Sequence, residues 1–162
     1  MKRVLITGMS GTGKSATVRE LAARGYAAYD LDTPEWSHWI DAAAGDALTP
    51  EDGKDWVWQV DKVRMLLSQQ REALLFISGC AENMHELFSL IDTVILLSLP
   101  IDTIMQRVSA RTSGGYGHVE EERRKIVELT ETIEPLLRES ADYEIDSSDP
   151  VEATVDRILR LA

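Results

Sequence analysis

Eight residues constrain this chain more than any other feature. Gly8-Met9-Ser10-Gly11-Thr12-Gly13-Lys14-Ser15 has the spacing G-x-x-x-x-G-K-S. It lies between an apolar run at residues 4–7 and a helical pattern at residues 14–24 that stops at Gly25. That is the context a phosphate-cradling loop requires. Glycines let the backbone curl until successive N–H groups face inward around phosphate oxygens. The helix that follows adds its positive end. Lys14 then reaches the outer phosphates and the Ser15 hydroxyl serves as a Mg2+ ligand. A plain glycine-rich turn explains the bend but not Lys14-Ser15 at its end. Gly8, Ser10, Gly11, Thr12, Gly13, Lys14, Ser15 and the next helical residue, Ala16, are the candidate nucleotide binders.

The rest of the chain alternates in type. Strand-like runs at residues 26–30, 74–78, 94–97 and 143–145 join the one at 4–7. Helical patterns separate them. Thr33-Pro34-Glu35 reads as a helix start, with helix to about residue 44 and again over 55–70. A short helix is expected over 82–90, another from Pro100 to about 111, and a long charged one over 119–140 with a kink or break near Pro135. Asp149-Pro150-Val151-Glu152 reads as a last helix start, with Asp149 as its cap. Alternating strands and helices predict a parallel sheet covered on both faces. The expectation is one three-layer α/β domain over residues 1–162 with a five-stranded parallel sheet.

Composition narrows the partners. The 162 residues carry a net charge of −11. That disfavours non-specific nucleic-acid binding and docking on anionic membrane, but not a small anion in a local basic pocket. The single cysteine, Cys80, can form neither an intrachain disulfide nor a thiolate-rich zinc site. His38, His85 and His118 are scattered without ligand spacing. No apolar run is long enough for a signal peptide or a membrane span, so the expected compartment is the cytoplasm.

Phosphate-loop proteins divide by what accompanies the loop. A guanine-reading Asn-Lys-x-Asp is missing, since the only asparagine is Asn83 in Glu82-Asn83-Met84-His85. The third strand ends Ile77-Ser78-Gly79-Cys80, without the carboxylate that ATP-driven machines place there. A kinase becomes the favoured reading.

Here the chain resembles the small P-loop kinases, notably shikimate kinases and adenylate-kinase-like proteins. Tyr29-Asp30-Leu31-Asp32 looks like the Asp-x-Asp of shikimate kinases. The resemblance implies that Asp30 helps hold Mg2+ and that Asp32 lies against the acceptor hydroxyl as its base. Turn chemistry with a helix cap is the plainer alternative for the same residues. Arg107-Val108-Ser109-Ala110-Arg111 resembles the segment that enters the lid of adenylate kinases. It implies that Arg107 stacks on adenine and Arg111 clamps phosphates; a solvated helix face is the alternative. Residues 145–152 resemble the loop beside adenine, which implicates Asp149 and Pro150, though they also read as a helix start. The glycine-rich stretch 112–118 is then a short lid loop. Two departures stand out: Ser78-Gly79-Cys80-Ala81 replaces a triple glycine, and residues 112–118 lack the basic lid signature.

In such folds the acceptor site is built by the insertion after the second strand, here residues 33–70, expected to be helical. All four tryptophans lie in it. Trp36 and Trp39 are expected on one helix face, lining a cleft for a ring-bearing acceptor, or else packing the core of a small cap. Arg64 is a candidate for an acidic acceptor group or a surface charge, and Gly79 a candidate acceptor contact. The expected function is ATP- and Mg2+-dependent phosphorylation of a small molecule, at a hydroxyl, with Lys14, Asp32 and Arg111 as catalytic residues. A nucleoside monophosphate kinase and a regulatory nucleotide-binding protein are the alternatives. The sequence leaves the oligomeric state open.

Overall fold

The structure, a computed structural model, describes residues 1–42, 53–69, 71–110 and 120–162. Its elements are β1 (Lys2–Thr7), α1 (Lys14–Ala23), β2 (Ala27–Asp30), β3 (Ser37–Asp41), β4 (Lys54–Trp58) and α2 (Val60–Gln69). There follow β5 (Leu74–Ser78), a 3-10 helix (Glu82–Leu90), β6 (Thr93–Ser98), α3 (Ile101–Ser109), α4 (Glu120–Ser140), β7 (Tyr143–Asp146) and α5 (Val151–Leu161).

Five strands form one sheet in the order β2-β5-β1-β6-β7, every pair parallel. β1 is central: Val4 stands opposite Phe76 on one side and Thr93 on the other. Alternation along the strands sends side chains to two cores. Val4, Ile6, Phe76, Ile95 and Leu97 pack with Leu21 of α1 and with Val155 and Ile158 of α5. Leu5, Leu75, Ile77 and Leu96 pack the other way, against Val63 and Leu67 of α2, Leu87, and Leu137 of α4. Each fully buried aliphatic contributes about 1.5–3 kcal/mol. The layering puts the carboxyl ends of all five strands on one edge, where open α/β sheets bind ligands.

The main correction falls in the insertion. Residues 37–41 and 54–58 are strands of an antiparallel hairpin, not helices, and among the described residues of the insertion only α2 is helical. Thr33-Pro34-Glu35 forms a turn instead of a helix start: the N–H groups of Trp36 and Ser37 both donate to the Thr33 carbonyl, and the chain then extends. Trp36 is drawn into the core, edge-on to Tyr29 at 5.7 Å. Trp39 and Trp56 then face each other across the hairpin with ring centroids 5.0 Å apart. Cross-strand aromatic pairing of this kind outweighs weak helical spacing.

Two smaller corrections concern proline. α4 runs as one helix through Pro135, so of the expected kink or break the break does not occur, and Leu137 just beyond it is buried against the sheet. α5 is capped by Pro150, whose carbonyl accepts from Ala153 and Thr154; Asp149 makes no cap bond and lies 3.7 Å from Arg157. Among the described residues no helix is long and apolar enough to cross a membrane. The lid stretch 112–118 lies outside the described residues, as does Arg111.

Candidate active site

The loop between β1 and α1 has the backbone its glycines permit. Gly11 and Gly13 have φ of +85° and +97°, a region costly for other residues. Gly8 is enforced by space as well: a Cβ there would stand 2.5 Å from the Leu97 carbonyl oxygen. Lys14 lies at the start of α1, and its ammonium donates to the carbonyls of Gly8 (2.7 Å) and Met9 (3.0 Å), which holds it across the loop. Thr12 is fully buried and its hydroxyl donates to the Met9 carbonyl, bracing the turn from inside.

Ser15, one residue into α1, donates its hydroxyl to Asp30 Oδ2 at 2.6 Å. The other oxygen of Asp30 accepts the N–H of Asp32 at 3.1 Å. Asp30 therefore performs the turn role and still presents one oxygen to Ser15. A hydroxyl and a carboxylate oxygen converging at the loop are hard donors that fit Mg2+, which keeps several water ligands of its own. Among the described residues no group of three or more His, Cys, Asp or Glu gathers to hold a metal.

Asp32 is the most constrained carboxylate here. Trp58 Nε1–H donates to its Oδ1 at 3.1 Å, and the Cys80 N–H donates to its Oδ2 at 3.1 Å. Gly79 lies beneath it, where a Cβ would come within 2.6 Å of Oδ1 and 2.9 Å of the Trp58 ring. Burial pushes the Asp32 carboxyl above the usual range, opposed first by the nearby Lys14 charge and then by the Trp58 hydrogen bond. Burial likewise pushes the Cys80 thiol up to about 11. It is therefore a protonated thiol at neutral pH and a poor nucleophile.

Asp32, Lys14 and Cys80 share a cavity of about 90 Å3 with the first turn of the loop. Its remaining wall is Ile126, Leu129 and Ile133, all from α4. A second cavity of about 430 Å3 lies on the other side of the loop, lined by Gly13, Ala16, Arg107, Ser148, Asp149 and Pro150 among others. Arg107 donates to the Ser147 carbonyl at 3.1 Å, and the buried Ser147 hydroxyl donates to the Thr12 carbonyl at 2.6 Å. The loop after β7 is thereby tied to both α3 and the phosphate loop.

The structure thus gathers Gly8, Ser10, Lys14 and Asp32 around one cavity, and Thr12, Gly13, Ala16, Arg107, Asp149 and Pro150 around the other. It does not bring together the acceptor residues expected from the insertion. Trp36 is buried in the core, Trp39 is about half exposed on the hairpin, and Arg64 is exposed on α2. None of the four tryptophans lines the cavity beside Asp32. Gly79 supports Asp32 from below. Sequence reasoning missed Trp58 and the Cys80 N–H as partners of Asp32, and no local pattern signals either. It also missed the α4 wall, although Ile126, Leu129 and Ile133 have the i, i+3, i+7 spacing of one helix face.

Comparison with solved structures agrees with this topology. The shikimate kinase from Acinetobacter baumannii, in complex with shikimate, superposes with a TM-score of 0.66 at 22% identity, over 99% of this chain and 92% of that one. The shikimate kinases from Aquifex aeolicus and Bacteroides thetaiotaomicron give TM-scores of 0.55 and 0.54 at 15% and 17% identity. They cover 98% and 99% of this chain and 94% and 97% of theirs. No curated protein matches the chain by sequence. The AAA domain family matches residues 4–128, well over half of the molecule. With the phosphate loop on the carboxyl edge of a 2-5-1-6-7 parallel sheet, the chain belongs to the AAA domain family and has the α/β fold of the P-loop kinases.

Proposed function

We propose that the chain is an ATP-dependent phosphotransferase that phosphorylates a hydroxyl of a small molecule in the cytoplasm. The carrying observation is the shared cavity: the phosphate loop and Lys14 form one side, and the buried carboxylate of Asp32 faces the same space. Phosphoryl transfer requires positioning and charge stabilisation more than covalent chemistry from the protein.

Each residue has a role that follows from its placement. The loop N–H groups and Lys14 hold phosphate oxygens, and Arg107 with the 147–150 loop forms the wall of the base pocket. Arg111, from the lid resemblance, is assigned to the phosphates. Ser15 and Asp30 hold Mg2+, which supplies charge neutralisation when bound. Asp32 accepts the proton of the acceptor hydroxyl. Its carboxylate is fixed by two N–H donors, and burial raises its pKa, which makes it a stronger proton acceptor than an exposed carboxylate.

Asp32→Asn tests the reading. Turnover is expected to fall by about a hundredfold or more, with nucleotide affinity unchanged, because a positioned base contributes at least that much. Mass spectrometry of the reaction mixture counts phosphorylated acceptor against free phosphate. Near-normal product from Asp32→Asn removes Asp32 from the mechanism. Hydrolysis with no product from any acceptor removes the phosphotransferase reading.

A further inference from the structure

We propose that the acceptor is an amphiphilic alcohol: its hydroxyl end enters the cavity beside Asp32, and an apolar chain or ring lies in a groove between α4 and the 3-10 helix. The proposal rests on the phosphotransferase reading and names the substrate class of that site.

The groove adjoins the cavity. It measures about 390 Å3 and is lined by Met84 and Phe88 of the 3-10 helix and by Leu136 and Leu137 of α4. Glu82, His85 and Ser140 add polar groups to its wall. Cys80 and Ile133 line both spaces, so these two side chains form the partition between them.

Size gives the first reason to join the two. The cavity beside Asp32 is about 90 Å3, smaller than the ~150 Å3 that accommodates benzene. It seats the reacting hydroxyl and the few atoms next to it. Sites for whole small molecules run to roughly 300–1,000 Å3. The groove has that volume.

The course of α4 gives the second. Ile126, Leu129, Ile133 and Leu136 follow one another at the 3-4-3 spacing of a single helix face. Ile126 and Leu129 line the cavity, Leu136 lines the groove, and Ile133 lines both. At ~1.5 Å of rise per residue the track from 126 to 136 is roughly 15 Å long. Leu136, at its far end, is 57% exposed on a helix rich in charged residues. A hydrocarbon laid along the track would cover it. In the reaction the alcohol oxygen takes the γ-phosphoryl of ATP, its proton passes to Asp32, and ADP leaves. The groove contacts lie away from these atoms, so they act by binding energy from a remote part of the acceptor.

The test uses the native protein with ATP and Mg2+. The probes are small linear and cyclic polyols, each as the parent and as its mono-hexyl and mono-benzyl ethers with other hydroxyls left free. The ethers should exceed their parents in kcat/KM by at least about tenfold, since each buried methylene is worth about fourfold. Leu136→Asp should cut that advantage by about tenfold, and the exposure of Leu136 keeps the fold out of question. Phe88→Ala repeats the measurement from the opposite wall. Saturation-transfer NMR without nucleotide should show the strongest transfer at the ring or chain protons, weakened in Leu136→Asp. Ethers no better than their parents overturn this proposal and leave the phosphotransferase reading standing. An undiminished ether advantage in both variants removes the groove from the acceptor site and overturns it too. Sedimentation covers the remaining occupant: if Leu136→Asp dissociates a dimer and keeps the ether advantage, a second copy of the chain fills the groove and the proposal fails. No phosphorylated product from any member overturns both readings.

Discussion

The two sides of the site are built differently. On the nucleotide side, consecutive residues do the work: Gly8 to Ser15 form the cradle almost alone, and the 147–150 loop is pinned to it by one buried serine. Around Asp32, on the proposed acceptor side, each contact comes from a distant segment. Asp32 follows β2, Trp58 ends β4, Cys80 follows β5, and the apolar wall belongs to α4. A local motif gains its function from backbone conformation, whereas a composite pocket gains it only from packing. The nucleotide side should therefore break by losing a single group, and the acceptor side by losing shape or register.

The largest expected effect is Lys14→Ala. It should lower turnover by about a hundredfold or more, as loss of a preorganised charge does, without changing the circular dichroism spectrum. A fully active variant would sink the kinase reading of the loop.

Gly79→Ala comes next and probes the acceptor side through stability. Its Cβ would press on the Asp32 carboxylate and the Trp58 ring, and φ is +152°. A loss of about 1–3 kcal/mol is expected in urea melts. No loss would mean that the Asp32–Trp58 arrangement is soft.

Asp32→Asn should separate function from stability. Burial raises the folded-state pKa of Asp32 above its ordinary 3.8, so the fold favours the protonated form. Stability is therefore lost as pH rises from that ordinary value through the folded-state pKa, and stays lost at neutral pH. The asparagine variant escapes that loss. Asparagine does not titrate, so the variant's melting temperature should lack the parent's fall as pH rises above 3.8, and an equal fall in both proteins would show that Asp32 is not the group responsible.

Trp58→Phe removes one N–H donor from Asp32 and should raise its pKa further. The acid limb of the kcat/KM profile should then move to higher pH, and an unmoved limb would show that Trp58 serves packing alone. The smallest effect is expected far from both cavities. Arg138→Met breaks the bridges to Glu144 (2.6 Å) and Glu134 (3.0 Å), and Arg138 is about half exposed. A change of roughly 0.5 kcal/mol or less is expected, shrinking with added salt.

Much of the fold could be read from periodicity. β5 falls where its apolar run predicts, and α1 stops at Ala23, just before Gly25, whose φ is +90°. The insertion could not be read that way. Trp36 and Trp39 have helical spacing, yet Trp36 is claimed by the core beside Tyr29 and Trp39 pairs across a hairpin with Trp56, some seventeen residues later in the chain. Neither partner lies within reach of a local pattern. Arg64 illustrates the same limit: the sequence left it open between a pocket group and a surface charge, and only the fold shows it exposed on α2.

By itself, then, the amino-acid order determined the phosphate loop, the strand–helix alternation and the net acidity, because these depend on neighbours in sequence. Backbone curl needs only the glycines that form it, and amphipathic period needs only a few turns of chain. Tertiary structure alone decided what faces Asp32. That required three strands and a helix to converge, so that an indole N–H, a backbone N–H, a glycine without a side chain and three aliphatic residues meet one carboxylate. None of those groups is a sequence neighbour of Asp32, so only packing could bring them to it.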